Sequence, residues 1–181
     1  SAVVINGKDG SIGLNGKDGA NGISIKGGDG KPGVDGTNIT RLVIEEKNGD
    51  KHDVATLDDG MKYGGDTCAV IKKKLNEQVN VVGGITDVNK LTTDDNIGVV
   101  SDGTNNLKAR LAKDLKGLNS VTTGDTVMNS DGLTITGGPK IVKDGIDAGS
   151  KKITNVAAGT DNTDAVNFGQ LKDAIAAGKT I

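Results

Sequence analysis

Ile153-Thr154-Asn155-Val156-Ala157, followed after a short polar loop by Asp164-Ala165-Val166-Asn167-Phe168-Gly169-Gln170-Leu171-Lys172, is the stretch that decides the reading of this chain. Its first part alternates like a strand. Its second part has helical spacing, with Phe168, Leu171 and Ile175 separated by three and four residues, the seam spacing of a coiled coil. Such a seam must be buried against a partner, so the stretch predicts a piece of an oligomer. The pattern places a helix over residues 161–177, with Asn162 or Thr163 as its cap and Asp164 in its first turn. Gly178 then weakens it. A helix of that length is marginal alone.

Working outward, the residues from Ile153 to Lys172 resemble the neck of the trimeric autotransporter adhesins, fibrous surface proteins of Gram-negative bacteria. In that family a motif close to ITNVA…DAVNVGQLK joins a three-chain β head to a three-chain coiled-coil stalk. Phe168 stands here where the family usually has valine, which keeps the seam apolar. Lys143-Asp144-Gly145-Ile146-Asp147-Ala148-Gly149 resembles the GIN-type signature that precedes such necks, with Asp147 in place of asparagine.

The resemblance implies a mainly β fold: interwoven homotrimeric β-prism or β-roll head segments, then a neck and the start of a trimeric coiled coil. The implied organisation is a glycine-rich repeat segment over 1–38, a β head region with GIN-like and Trp-ring-like modules over 39–150, a neck over 151–172, and the start of the stalk over 173–181. The implied trimerisation residues are Asn155, Val156, Asp164, Ala165, Val166, Asn167, Phe168, Gly169, Gln170, Leu171 and Ile175. Val166, Phe168 and Leu171 are expected to pack on the axis. Asn155, Asn167 and Gln170 are expected to bond across chains or to cap backbone groups. The expected partners are two further copies of the chain and host extracellular-matrix proteins (fibronectin, laminin or collagen) or host cells, with autoaggregation and biofilm formation. A trimeric fibre spacer with no ligand of its own, of a stalk or phage-fibre type, is the alternative. The expected location is the bacterial cell surface, as an internal fragment of a protein held in the outer membrane by a C-terminal domain outside this chain.

Composition agrees with a thin β fibre. Of 181 residues 29 are glycine, about 16% against a usual share of roughly 7%. Tyr63 and Phe168 are the only aromatic residues of their kinds, and tryptophan is absent. Any core must come from Val, Ile, Leu and Ala. The formal net charge of −2 and the interspersed charges argue against nucleic acid as a partner. Lys72-Lys73-Lys74 and Lys151-Lys152 read as solvated edges or turns, since lysine blunts exposed strands. Cys68 is the single cysteine, so no intrachain disulfide exists. No apolar run approaches the roughly 18 residues of a membrane span.

Between residues 5 and 36 glycine recurs at every third position, broken at Ile23-Ser24-Ile25. This admits a collagen-like triple helix, but proline is nearly absent from the region. The competing reading is a set of tight β turns, because Asn-Gly and Asp-Gly pairs supply positive φ. Gly27-Gly28-Asp29-Gly30 resembles one imperfect copy of a calcium-binding nonapeptide repeat without its apolar position.

Further along, Arg41–Glu46 is a predicted strand, Lys47-Asn48-Gly49-Asp50 its turn, and Lys51–Thr56 its return. Asp58-Asp59-Gly60 turns the chain again. Ile71–Val82 and Asn96–Val100 are predicted strands. Leu107–Leu118 fits either an alternating strand or a helix with Leu107, Leu111, Leu115 and Leu118 on one face, and the family resemblance leans toward an extended form. Gly132–Pro139 is a short strand with a firm stop.

No catalytic motif emerges. Gly-x-Ser-x-Gly, a phosphate loop and metal-spaced His or Cys pairs are all missing from the sequence. His52, the only histidine, lies sixteen residues before Cys68 with no orienting third group. Acidic pairs such as Asp58-Asp59 and Asp94-Asp95 read as turn residues bonding their own backbone. The expectation is a protein without enzymatic activity, cofactor or metal.

Overall fold

The computed structural model describes residues 3–15 and 22–179. Their regular elements are almost all antiparallel strands, in two compact units that divide between Gly84 and Ile85.

The first unit holds a five-stranded meander: β1 (Val3–Asn6), β2 (Ser11–Leu14), β3 (Ile23–Pro32), β4 (Asn38–Glu45) and β5 (Lys51–Asp53), paired in sequence order. The glycine repeat makes turns in it. Gly10 takes φ 70° and its N–H donates to the Asn6 carbonyl at 2.9 Å, closing the β1–β2 turn. The described part of residues 5–36 therefore pairs as sheet and not as a collagen helix. The turn of the second repeat copy, residues 16–21, lies outside the described residues. Asn48-Gly49 makes the predicted β4–β5 turn, with Gly49 at φ 89° and the Asp50 N–H bonded to Asn48 Oδ1 at 3.0 Å. The return strand stops at Asp53 rather than Thr56.

Register turns this meander into a two-faced object. Directly paired residues share a face, so Ile5, Ile12, Ile25 and Ile44 form one continuous row across four strands, flanked by Val3, Leu14 and Ile23. In the single chain Ile5 and Ile12 are exposed with Val3, Leu14 and Ile23, and Ile25 and Ile44 are half-buried. The opposite face is polar and better covered. There Lys26 pairs with Glu45, and Val43 is buried over Gly28. A Cβ at Gly28 would lie 2.4 Å from Val43 Cγ2, so this position, beside the bulge between Gly28 and Lys31, leaves the valine its room.

The first unit also holds the hairpin β6 (Gly60–Tyr63) and β7 (Ile71–Lys74). The predicted strand Ile71–Val82 ends at Lys74, where Asn76 turns at φ 68°. Among the described residues Val79–Val82 pairs with no strand, and Val81 is 99% exposed. Apolar alternation alone does not make a strand without a neighbour to complete its ladder.

The second unit opens with a 3-10 turn (Val88–Lys90), then the hairpin β8 (Ile97–Ser101) and β9 (Leu107–Leu111). The open choice at Leu107–Leu118 resolves as strand to Leu111, with no helix after it. A second meander follows: β10 (Ser120–Thr123), β11 (Thr126–Asn129), β12 (Gly132–Ile135), β13 (Lys140–Val142) and β14 (Gly145–Asp147). Its register also lays down one apolar row, Val121-Met128-Leu133-Ile141-Ile146, across all five strands. One helix, α1 (Phe168–Gly178), closes the described residues.

Burial is sparse. Among the described residues Val34 and Val43 are the buried hydrophobics, joined by the polar Arg41 and Asn96. The single chain hydrogen-bonds its backbone locally and leaves its apolar faces uncovered.

Candidate functional site

Residues 155–170, the predicted neck, are tied together by polar bonds that the chain makes to itself. Asn167 takes φ −85° and ψ 164° and caps α1, its Oδ1 accepting from Gln170 N at 2.9 Å. Gln170 reaches back, its Oε1 accepting from Asn167 N at 3.2 Å, which completes a capping box. The same side chain then pairs with Gly159 as a second peptide group would. Oε1 accepts from Gly159 N and Nε2 donates to Gly159 O, both at 2.8 Å. Asn167 Nδ2 donates to Val156 O at 3.1 Å. Two side chains thus tie the segment 156–159 to the first turn of the helix.

Asp164 has a different role from the one expected. It lies before the helix, and its Oδ2 accepts from Asp161 N at 3.0 Å and Thr160 N at 2.9 Å. Those donors, Asp161 first, hold its carboxyl below the usual carboxylate range. The loop it closes keeps Asn162 and Thr163 out of the helix, so α1 begins at Phe168 and not near residue 161. The signal for the true start was in the sequence: Asn167 and Gln170 have the spacing of a capping box. Asn155 turns the chain at φ 61°, in the left-handed region that asparagine tolerates. Gly159 is needed for closeness, because a Cβ there would lie 2.8 Å from the Ala165 carbonyl.

Among the apolar members of the predicted set Val156 is half-buried and the others are exposed. Phe168 is 73% exposed, and Val166, Leu171 and Ile175 are exposed with it. Lys172 Nζ lies 5.6 Å from the Phe168 ring centroid, a cation–π distance. Ile153, Val156, Ala165, Val166 and Phe168 line an open cleft between the extended segment and the helix start. Asn155, Val156, Ala165, Asn167, Gly169 and Gln170 thus gather at one place, while Phe168, Leu171 and Ile175 form a stripe along α1.

Two further polar ties escaped the sequence reading. Asn96 is buried, and its side-chain amide also imitates a peptide: Nδ2 donates to Lys116 O at 2.8 Å and Oδ1 accepts from Lys116 N at 2.9 Å. Arg41 is buried and clamps Asp59 with both terminal nitrogens, Nη2 to Oδ1 at 2.8 Å. Arg41, then the Thr56 N–H, pull the Asp59 pKa down to about 2. Nothing local in the sequence marks either tie, since the partners lie 20 and 18 residues away.

His52 sits opposite Ile44 at the sheet edge, 3.5 Å from Glu46 Oε2. Cys68 is exposed at φ 70°, its Sγ 3.7 Å from Thr67 Oγ1. Among the described residues no cluster of three or more His, Cys, Asp or Glu has metal-holding geometry.

The chain is similar to several known proteins. Residues 152–180 match the family model described as the coiled stalk of trimeric autotransporter adhesin. The autotransporter adhesin BadA of Bartonella henselae is 51% identical over 42% of this chain and 2% of its own length. The trimeric autotransporter adhesin AtaA of Acinetobacter sp. strain Tol 5 is 45% identical over 41% of this chain and 2% of its own. The solved N-terminal domain 1 of VompD from Bartonella quintana is 31% identical, with 65% of this chain and 99% of that domain covered and a TM-score of 0.44. Residues 152–180 thus carry the coiled-stalk element of trimeric autotransporter adhesins, and the chain is similar to segments of adhesins of that kind. It spans about 2% of the length of the first curated relatives. Its place is the cell-surface passenger region of an outer-membrane protein. No described helix is long and apolar enough to cross a membrane.

Proposed function

We propose that three copies of this chain assemble about a three-fold axis into an adhesin segment in which a β head passes through the neck into a coiled-coil stalk. The observation that carries this reading is the set of apolar rows left uncovered in one chain: the two cross-strand rows of the meanders and the Phe168-Leu171-Ile175 stripe. A row spanning four or five strands is costly to leave in water, at roughly 25 cal/mol per Å² of apolar surface. Association of identical chains gives each row the same complementary surface three times.

In this assembly Val166, Phe168, Leu171 and Ile175 face the axis. Asn167 and Gln170 work within each chain, fixing the angle at which the strand segment enters the helix. Glycine-rich turns let the chains approach closely and interweave. The head region attaches to host extracellular matrix (fibronectin, laminin or collagen) or to cells. Many trimers on one surface sum weak contacts through effective concentration. The same multivalency supports autoaggregation and biofilm growth.

Attachment is tested by binding of the fragment to immobilised fibronectin, laminin and collagen, with a stalk lacking residues 1–150 as control. Saturable binding by the fragment and none by the control is the expected result. Equal retention of both, or of neither, would reduce this segment to a spacer.

A further inference from the structure

The β6–β7 hairpin carries a charge arrangement that its own stability does not explain. Lys62 and Lys72 are directly opposite across the ladder, and both are exposed. Like charges in that position repel and destabilise a strand pair. Lys74 shares their face but is neutralised by Asp58, at 3.0 Å, and by Asp35. Lys62 and Lys72 have no carboxylate within ion-pair distance among the described residues. The other face of the hairpin holds Met61, Tyr63 and Ile71, with Lys73 opposite Met61. The hairpin is thus apolar on one side and cationic on the other, in a chain whose formal net charge is −2.

We infer that the lysine face of the β6–β7 hairpin, centred on the Lys62–Lys72 pair, is a docking surface for a sulfated polysaccharide. The residue types select the ligand class. Lysine is a flexible point charge and offers no bidentate fork, which suits mobile, repeating sulfates better than a single fitted carboxylate or phosphate. Tyr63 is on the opposite face, so the lysine face has no aromatic platform on which a nucleic-acid base could stack. It presents no apolar side chain to enter a lipid surface. Its only other members are Gly60 and the neutralised Lys74. A polymer with closely spaced anions relieves the repulsion of both lysines at once. The inference rests on the adhesin reading for the display of three copies per fibre, where weak sites add through multivalency. The charge pair itself belongs to a single chain.

The test uses the 181-residue chain and a fluorescent heparin-derived oligosaccharide, followed by anisotropy at low and at physiological salt, with a desulfated oligosaccharide in parallel. The double variant Lys62→Gln/Lys72→Gln is compared with Lys90→Gln/Lys143→Gln, which removes the same charge from exposed sites of the second unit. The expected result is salt-sensitive binding of the sulfated probe only, weakened roughly tenfold or more in the first variant and little changed in the second. Equal weakening in both variants, equal binding of the desulfated probe, or no binding by the wild type would overturn the inference. Sedimentation of the same samples separates the alternatives. Loss of oligomer in the Lys62/Lys72 variant would make the lysines an inter-copy contact and also overturn it. A wild type that is monomeric yet binds through Lys62 and Lys72 would sink the trimer reading and leave the docking surface standing.

Discussion

The two five-stranded meanders follow one plan with different degrees of self-sufficiency. Each runs its strands in sequence order and sets a single apolar row across them, Ile5-Ile12-Ile25-Ile44 in one and Val121-Met128-Leu133-Ile141-Ile146 in the other. The first meander has a second source of order on its reverse face: Val43 buried over Gly28, Arg41 buried against Asp59, and Lys26 paired with Glu45. The reverse face of the second carries Thr122, Val127, Thr134 and a Lys140–Asp147 ion pair at 3.8 Å, and none of its residues is buried. Register alone can therefore create an apolar row. Whether a meander stands without its partners depends on what covers the other side.

The largest expected effect breaks the less self-sufficient meander. Leu133→Asp puts a carboxylate in the middle of its row. If copies of the chain cover that row, each copy loses about 3–5 kcal/mol, the cost of an unpaired buried charge. The melting temperature should fall steeply, and more so on dilution. Val43→Ala sharpens the contrast. It empties a buried site inside one chain and should cost about 2 kcal/mol. Calorimetry at two protein concentrations should find that shift independent of concentration.

Acid distinguishes the meanders next. The Asp59 pKa is lowered to about 2, first by Arg41 and then by the Thr56 N–H. A depressed folded pKa means that the unfolded chain takes up the proton more readily. The stabilisation is complete above the unfolded value of roughly 4 and is lost as pH falls through about 2. Hydrogen exchange between those limits should rise in residues 32–59, and Asp59→Asn should flatten that dependence while already raising exchange at neutral pH. The smallest effect is expected at the neck. Gln170→Leu removes both bonds to Gly159 and half of the capping box, at a cost of about 1–2 kcal/mol. Amide exchange of Gly159 and Asn167 should report it before any global change.

Much of this was legible from the chain itself, for reasons that differ by element. Asn48-Gly49 announced its turn because few residues tolerate positive φ. The family resemblance at the C-terminal end was carried by a long specific motif, and residues 152–180 match the coiled-stalk model. What stayed hidden depends on distance along the chain. Asn96 holds Lys116, and Arg41 holds Asp59, through contacts that no local pattern encodes. The strands β10, β11, β13 and β14 are three or four residues long, too short for alternation to separate them from turns. The helix start was misplaced because the Asp164 carboxylate bonds Thr160 and Asp161 and withdraws four residues into a turn. Val79–Val82 has the apolar pattern of a strand, but a strand requires a neighbour.

The central claim is that the uncovered rows and the α1 stripe are surfaces between identical chains. Sedimentation velocity on this chain, over a dilution series down to low micromolar, tests it most directly. The account predicts an elongated species with the mass of three chains, converted to single chains by Leu171→Asp. A compact single chain at every concentration would contradict it.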